Sequence, residues 1–170
     1  RLFDGVSAIL GIRRKSTFEG EASMALEFVA EEYQKNRLKN AKKMPEIPTY
    51  ELLKEGSDRL LLNTGSLIKE ILYRRLNGED SDRLAYIFHQ ELARQITASC
   101  VKIREQSGCN KAALSGGVFQ NRLLLELTDH MLKQQGFEVL KHQLVPPNDG
   151  GIALGQAVYA MAYLDRNRNK

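Results

Sequence analysis

Tryptophan is absent from the 170 residues and cysteine nearly so, with Cys100 and Cys109 alone. Two cysteines cannot staple a chain this long, and neither has metal-ligand partners at short spacing. A disulfide scaffold and a zinc module are therefore excluded, which points to a reducing, cytoplasmic compartment. Nothing resembles a secretion signal, and no apolar run approaches the roughly 20 residues of a membrane helix, so no membrane partner is expected. Excess charge of one sign is also lacking. Lys and Arg number 25 against 21 Asp and Glu, a formal charge of +4, and the signs alternate along the chain, so no nucleic-acid partner is expected. The three histidines, His89, His130 and His142, show no paired helical spacing and read as surface or helix-packing residues. No internal repeat is visible. The chain opens on Arg1 rather than Met, which reads as a piece of a longer protein.

What remains is an ordinary globular composition, 42% hydrophobic and 27% charged, long enough for one domain over 1–170 with a sizeable core. Val6, Ile9 and Leu10 share a helical face closed by Gly11. Ser16 or Thr17 can cap a second helix running through Glu19-Gly20-Glu21 to Tyr33, its acidic start suited to the helix dipole. Lys35 to Pro48 is polar, with two prolines, and reads as an exposed connection. Tyr50–Lys54 and Arg59–Leu62 form a hairpin pattern; Asn63 or Thr64 caps a helix ending near Asn77-Gly78. Ser81 opens the longest periodic stretch, which runs to Gly108. A short strand Lys111–Leu114, a helix Asn121–Gln135 stopped by Gly136, a strand Phe137–Leu140 and a last helix Ile152–Leu164 follow, with a frayed tail from Arg166. Alternating strands and helices in the second half predict an α/β lobe, to which the first half adds packing helices.

Two glycine pairs carry the chemistry. Lys111-Ala112-Ala113-Leu114-Ser115-Gly116-Gly117-Val118-Phe119-Gln120-Asn121 reads as strand, tight turn and helix start. Such a turn exposes amides that no Cβ shields, and a helix start adds unpaired N–H groups and positive dipole, the chemistry of a nucleotide or phosphate site. Asn148-Asp149-Gly150-Gly151 sits at a second strand-to-helix crossing, and such loops gather along one sheet edge. Asn121 can donate and accept at its helix start, and Asp149 is a hard oxygen donor suited to a metal; helix capping is the alternative for each.

Taken together, Arg1-Leu2-Phe3-Asp4 to Leu10-Gly11, Phe18-Glu19-Gly20-Glu21-Ala22 to Leu26-Glu27, Leu114 to Asn121 and Val145-Pro146-Pro147-Asn148-Asp149-Gly150-Gly151 to Ala157 resemble the C-terminal part of the HypF family, carbamoyltransferases of NiFe-hydrogenase maturation. The resemblance implies one Kae1-like lobe of the actin/sugar-kinase/Hsp70-like (ASKHA) fold, with nucleotide held by Asp4, Gly116, Gly117 and Asn121. It further implies a divalent metal (Fe, Zn or Mg) on Asp149, with the remaining ligands in a lobe outside this chain. The whole protein would make carbamoyl-adenylate from carbamoyl phosphate and ATP and pass the carbamoyl group to the C-terminal cysteine of HypE. The family's histidine pair, first lobe and YrdC-like region have no counterpart here, so the chain is expected to be inactive alone and to expose an apolar face open to dimerisation. An O-carbamoyltransferase, the tRNA threonylcarbamoyl-transferase of the same branch and a non-catalytic nucleotide-binding lobe remain as alternatives. No catalytic residue is assigned, and the roles of Glu19 and Glu21 stay open.

Overall fold

The longest apolar periodicity becomes the central element. In the computed structural model, which describes residues 1–40, 49–55 and 59–168, helix α4 (Ser81–Ser107) is flanked by α1 (Leu2–Ile9), α2 (Glu21–Lys39), α3 (Thr64–Leu76) and α5 (Arg122–Gln134). Leu84 through His89 form six consecutive buried residues of α4, because neighbouring helices cover it on several sides at once. Tyr86, Ile87 and Phe88 pack with Val6, Leu26, Leu67, Ile71, Leu123 and Leu124 in the main core. The Phe3 ring meets Phe88 edge-on at 5.1 Å.

Glu91 of α4 is wholly buried, and its charge is compensated on the spot. Arg94 donates to both carboxylate oxygens at 2.6 and 2.7 Å, and Gln95 Nε2 donates at 3.0 Å. Arg94 also donates to the Tyr50 carbonyl at 2.6 Å, so this cluster fastens the segment before the hairpin to α4.

The hairpin pairs β1 (Leu53–Glu55) with β2 (Arg59–Leu61), Leu53 opposite Leu61. The second half supplies a parallel pair, β3 (Lys111–Leu114) and β4 (Glu138–Lys141), joined through α5 as the alternation predicts. Ala112 and Leu114 of β3 point inward with Leu132 and Phe137 into a second, smaller core. Phe137 is also clamped from α4, whose Arg104 lies 4.3 Å over its ring and donates to the Gln135 carbonyl at 2.7 Å. The result is a mixed α/β architecture in which helices predominate.

Two boundaries differ from expectation. Neither Ser16 nor Thr17 caps α2: Gly20, with φ of 84°, precedes its first residue, and Thr17 instead donates from N–H (2.6 Å) and Oγ1 (3.1 Å) to Glu21. Helix α2 also continues to Lys39, into the stretch read as a connection; the rest of that stretch, 41–48, the hairpin turn 56–58 and the tail residues 169–170 lie outside the described residues.

The last helix, α6 (Ile152–Arg168), packs against little beyond the turn that precedes it. Ile152, Leu154, Val158, Tyr159, Met161, Tyr163 and Leu164 are all more than half exposed. Among the described residues no helix is long and apolar enough to cross a membrane. Because α6 contributes so little to either core, ending the chain after Gly151 should change the unfolding free energy by no more than about 0.5 kcal/mol. Urea denaturation of the two chains checks this; a loss of several kcal/mol would mean that α6 is packed in solution.

Candidate functional site

The turn after β3 is shaped by one glycine. Gly116 has φ of 98°, a conformation rarely adopted by residues bearing a Cβ, and it delivers the chain into a 3-10 turn over Gly117–Gln120. Phe119 N–H donates to Gly116 O at 3.0 Å and Asn121 N–H to Val118 O at 3.2 Å, which closes the turn. Phe119 packs against both cores, so the loop is anchored from beneath while Gly117 and Val118 stay exposed above.

The second glycine loop lies directly against the first. Gly116 N–H donates to Pro147 O at 2.8 Å, two residues before Asp149. Asn148, not Asp149, caps this loop, accepting from Gly150 N–H at 3.1 Å. Gly151 is there for space: a Cβ would lie 2.9 Å from the Pro146 carbonyl oxygen. Asp149 itself is exposed, and among the described residues no group of three His, Cys, Asp or Glu side chains could hold a metal.

Beyond the turn, Asn121 is engaged on both sides of its amide. Its Oδ1 accepts from Leu124 N–H at 2.8 Å, the helix cap, and its Nδ2 lies 2.9 Å from His89 Nε2. His89 Nδ1 lies 2.8 Å from Ala85 O. A carbonyl only accepts, so Nδ1 carries the ring proton and Nε2 accepts from Asn121. The imidazole is wholly buried between Phe3 and Phe88, centroids 5.6 and 5.5 Å away. Burial pulls its pKa down to about 4, against the opposing influence of the Ala85 bond and the Glu31 charge.

Glu27 reaches the same helix start from α2. Its Oε1 accepts from Arg122 N–H at 2.6 Å, and the side chain is nearly buried. Burial raises the Glu27 carboxyl pKa, while the Arg122 and Leu123 amides and the Arg122 charge lower it and Glu31 adds to the rise. The expectation of unpaired N–H groups at this helix start is thereby corrected. Glu27 and Asn121 take amides of the first turn, and Glu27 adds a carboxyl there, so α5 offers no open anion seat. Among the described residues, the exposed backbone next to this helix start is at the beginning of the 3-10 turn, at Gly117 and Val118.

The predicted site residues thus fall into one neighbourhood and one outlier. Gly116, Gly117 and Asn121 are contiguous, and the second loop that carries Asp149 touches them through Pro147. Asp4 is exposed on α1, next to Phe3, whose ring touches His89. Glu21 is structural: Thr17 N–H is the largest of the influences that lower its pKa, and Arg13 pairs with it at 3.1 Å. Glu19 is exposed. Glu27 and His89 escaped sequence reasoning. His89 is not at the surface, and its signal was its place between Phe88 and Leu92 on the most buried helix face.

A parallel strand–turn–helix unit whose glycine turn is fixed by helices of the other half defines a mixed α/β subdomain rather than a helical bundle. The family described as carbamoyltransferase, Kae1-like domain, second subdomain, matches residues 1–156, and the chain belongs to it. It is 35% identical to the probable carbamoyltransferase HypF of Methanocaldococcus jannaschii over 98% of its own length and 20% of that protein's. The carbamoyltransferase HypF of Rhodobacter capsulatus is likewise 35% identical, with 98% and 20% covered. A crystal structure of full-length HypF in a phosphate- and nucleotide-bound form superposes with a TM-score of 0.80 at 36% identity, covering 96% of this chain and 20% of that one. The chain thus spans about a fifth of the length of these relatives.

The sign of His89's contribution to stability follows from its lowered pKa. Between its ordinary value of 6.5 and the folded value of about 4, the unfolded chain binds the proton and the folded one does not. Its contribution is complete above pH 6.5 and falls away as pH drops, by about 3 kcal/mol at most. Urea unfolding at pH 7, 5 and 4 should show a shallower loss for His89→Gln than for the parent chain. Glu27 titrates alike in both, so the difference isolates His89.

Proposed function

We propose that this chain is the nucleotide-facing lobe, of ASKHA type, in a carbamoyltransferase of hydrogenase maturation that works in the cytoplasm. One observation carries the reading: the Gly116 N–H···O=C Pro147 bond of 2.8 Å, which sets two glycine loops side by side at strand-to-helix crossings. The likeness to a HypF crystallised with nucleotide and phosphate supports it.

In this reading Gly116 shapes the turn so that Gly117 presents its backbone to an adenine nucleotide, Asn121 offers its remaining amide proton, and Asp4 lines the approach from α1. The whole enzyme, some five times longer, activates carbamoyl phosphate with ATP to carbamoyl-adenylate. The thiolate of the HypE C-terminal cysteine attacks the carbamoyl carbon, the C–O bond to the adenylate phosphate breaks, and AMP leaves as the C–S bond forms. The thiol proton has passed to solvent or a base before attack. The loop's part is to hold the adenylate in place while the bond changes hands. A divalent metal would polarise the carbonyl or neutralise phosphate charge; Asp149 suits it chemically but stands alone here. The uncovered apolar surface of α6 suits the rest of the parent protein, and in its absence a second copy.

Calorimetry with ADP tests the loop. Asn121→Ala should weaken binding by about tenfold, the loss of one hydrogen bond together with the order of the turn. Asp149→Ala should weaken only the part of the affinity that depends on added divalent metal. Binding that ignores both substitutions would sink the assignment. For the whole reaction, the parent protein supplied with ATP and labelled carbamoyl phosphate should label the cysteine of a HypE C-terminal peptide; label on a sugar hydroxyl or on tRNA would point to another member of the branch.

A further inference from the structure

Asn121 has three hydrogen-bonding opportunities that matter at this turn, and two are fixed by groups of unambiguous polarity. Leu124 N–H can only donate, so Oδ1 must face it, 2.8 Å away. That leaves the amide NH2 for His89, 2.9 Å away. For the imidazole to accept there, Nε2 must be bare, and it is bare because Nδ1–H is spent on Ala85 O at 2.8 Å. The chain of bonds thus runs from the backbone of α4 through one buried ring to the single residue joining the glycine turn to α5.

Nothing in a simple packing role requires this. A phenylalanine or leucine would fill a pocket between Phe3 and Phe88 with no polar group to satisfy, and Asn121 would still cap α5 through Oδ1. The polar atom costs desolvation that only the bond to Asn121 and the bond to Ala85 repay. What the ring adds is rotational definition: with Oδ1 and one Nδ2 proton both held, the amide plane is fixed, and one Nδ2 proton is left.

We propose that His89 is the positioning residue of this loop, a neutral hydrogen-bond acceptor that fixes the Asn121 amide so that its second N–H is presented to an adenine nucleotide. The proposal rests on the nucleotide reading for its ligand but not for its geometry. His89 touches no ligand itself. It acts through Asn121, as a strut between α4 and the turn, and it takes no part in proton transfer because both ring nitrogens are committed.

Two measurements on the 170-residue chain decide it. Long-range proton–nitrogen correlation spectra of the unliganded chain should show His89 with its proton on Nδ1 at pH 7. The Asn121 amide pair should be split, with one proton slow to exchange. A ring protonated on Nε2, or an Asn121 amide whose two protons both exchange as fast as those of a solvated side chain, would overturn the proposal whether or not nucleotide binds. ADP titration then tests the consequence. His89→Leu, with folding verified by its amide spectrum, should weaken ADP binding by about tenfold and remove the exchange protection of the Asn121 side-chain amide proton. His89→Gln, which retains an acceptor, should stay within about threefold of the parent chain. Parental affinity in a folded His89→Leu would overturn the role. If the Leu variant does not fold, the Gln variant carries the titration, and loss of affinity there with an intact Asn121 signal would refute the proposal. If the parent chain binds no ADP at all, the nucleotide reading falls, while the tautomer and amide spectra still decide the positioning role.

Discussion

The arrangement depends on a single amide at a helix start. Asn121 ends the glycine turn and begins α5, and its side chain is held from within by Leu124 and from across the core by His89. Glu27 pins the next residue from α2. Three helices that are far apart in sequence therefore converge on one peptide junction. A loop with two adjacent glycines would otherwise sample many conformations, and the entropy of ordering it would fall on the ligand. Here that cost is met by core contacts formed on folding.

This convergence also decides which part of the turn is available. A helix N-terminus behind a glycine loop is ordinarily an anion seat. In this chain the amides of Arg122 and Leu124 are already bonded, and the group on Arg122 is a carboxyl. Burial raises its pKa, and the Arg122 and Leu123 amides pull the other way. A phosphate placed at the start of α5 would meet that carboxyl rather than free donors. The exposed backbone lies a few residues back, at Gly117 and Val118.

How much of this the sequence disclosed follows from the range of the interactions. Local signals were legible: Gly116 at a positive φ, Asn63 and Asn121 as caps, Gly136 as a helix stop, and the β3–α5–β4 alternation all depend on residues within a few positions. The start of α2 was misplaced because Thr17 and Ser16 have capping chemistry, and only the fold shows Thr17 serving Glu21 instead. For His89 the sequence reached as far as helix packing but not the bond it makes. Its partner lies 32 positions away, and Glu27's lies 95 away, so neither side chain announces its role in any window of sequence. The motif containing Glu27 was visible, but the burial that gives its carboxyl a purpose was not.

The same distinction separates α6 from the other helices. Its apolar residues follow no single face, a pattern that in a folded protein belongs to a helix covered all round. Yet it is exposed over its whole described length, and the parallel pair β3–β4 leaves Ala113 and Leu140 open as well. Parallel strands are stable when both faces are covered. Both features leave apolar surface uncovered, and they lie at opposite ends of the second glycine loop, which runs from β4 through Pro147 and Gly151 into α6. Any protein docked on α6 would bear on that loop, and through the Gly116–Pro147 bond on the first. The glycine turn is thus rigidly tied to the core on its Asn121 side and tied on its Gly116 side to a segment that itself packs on little else.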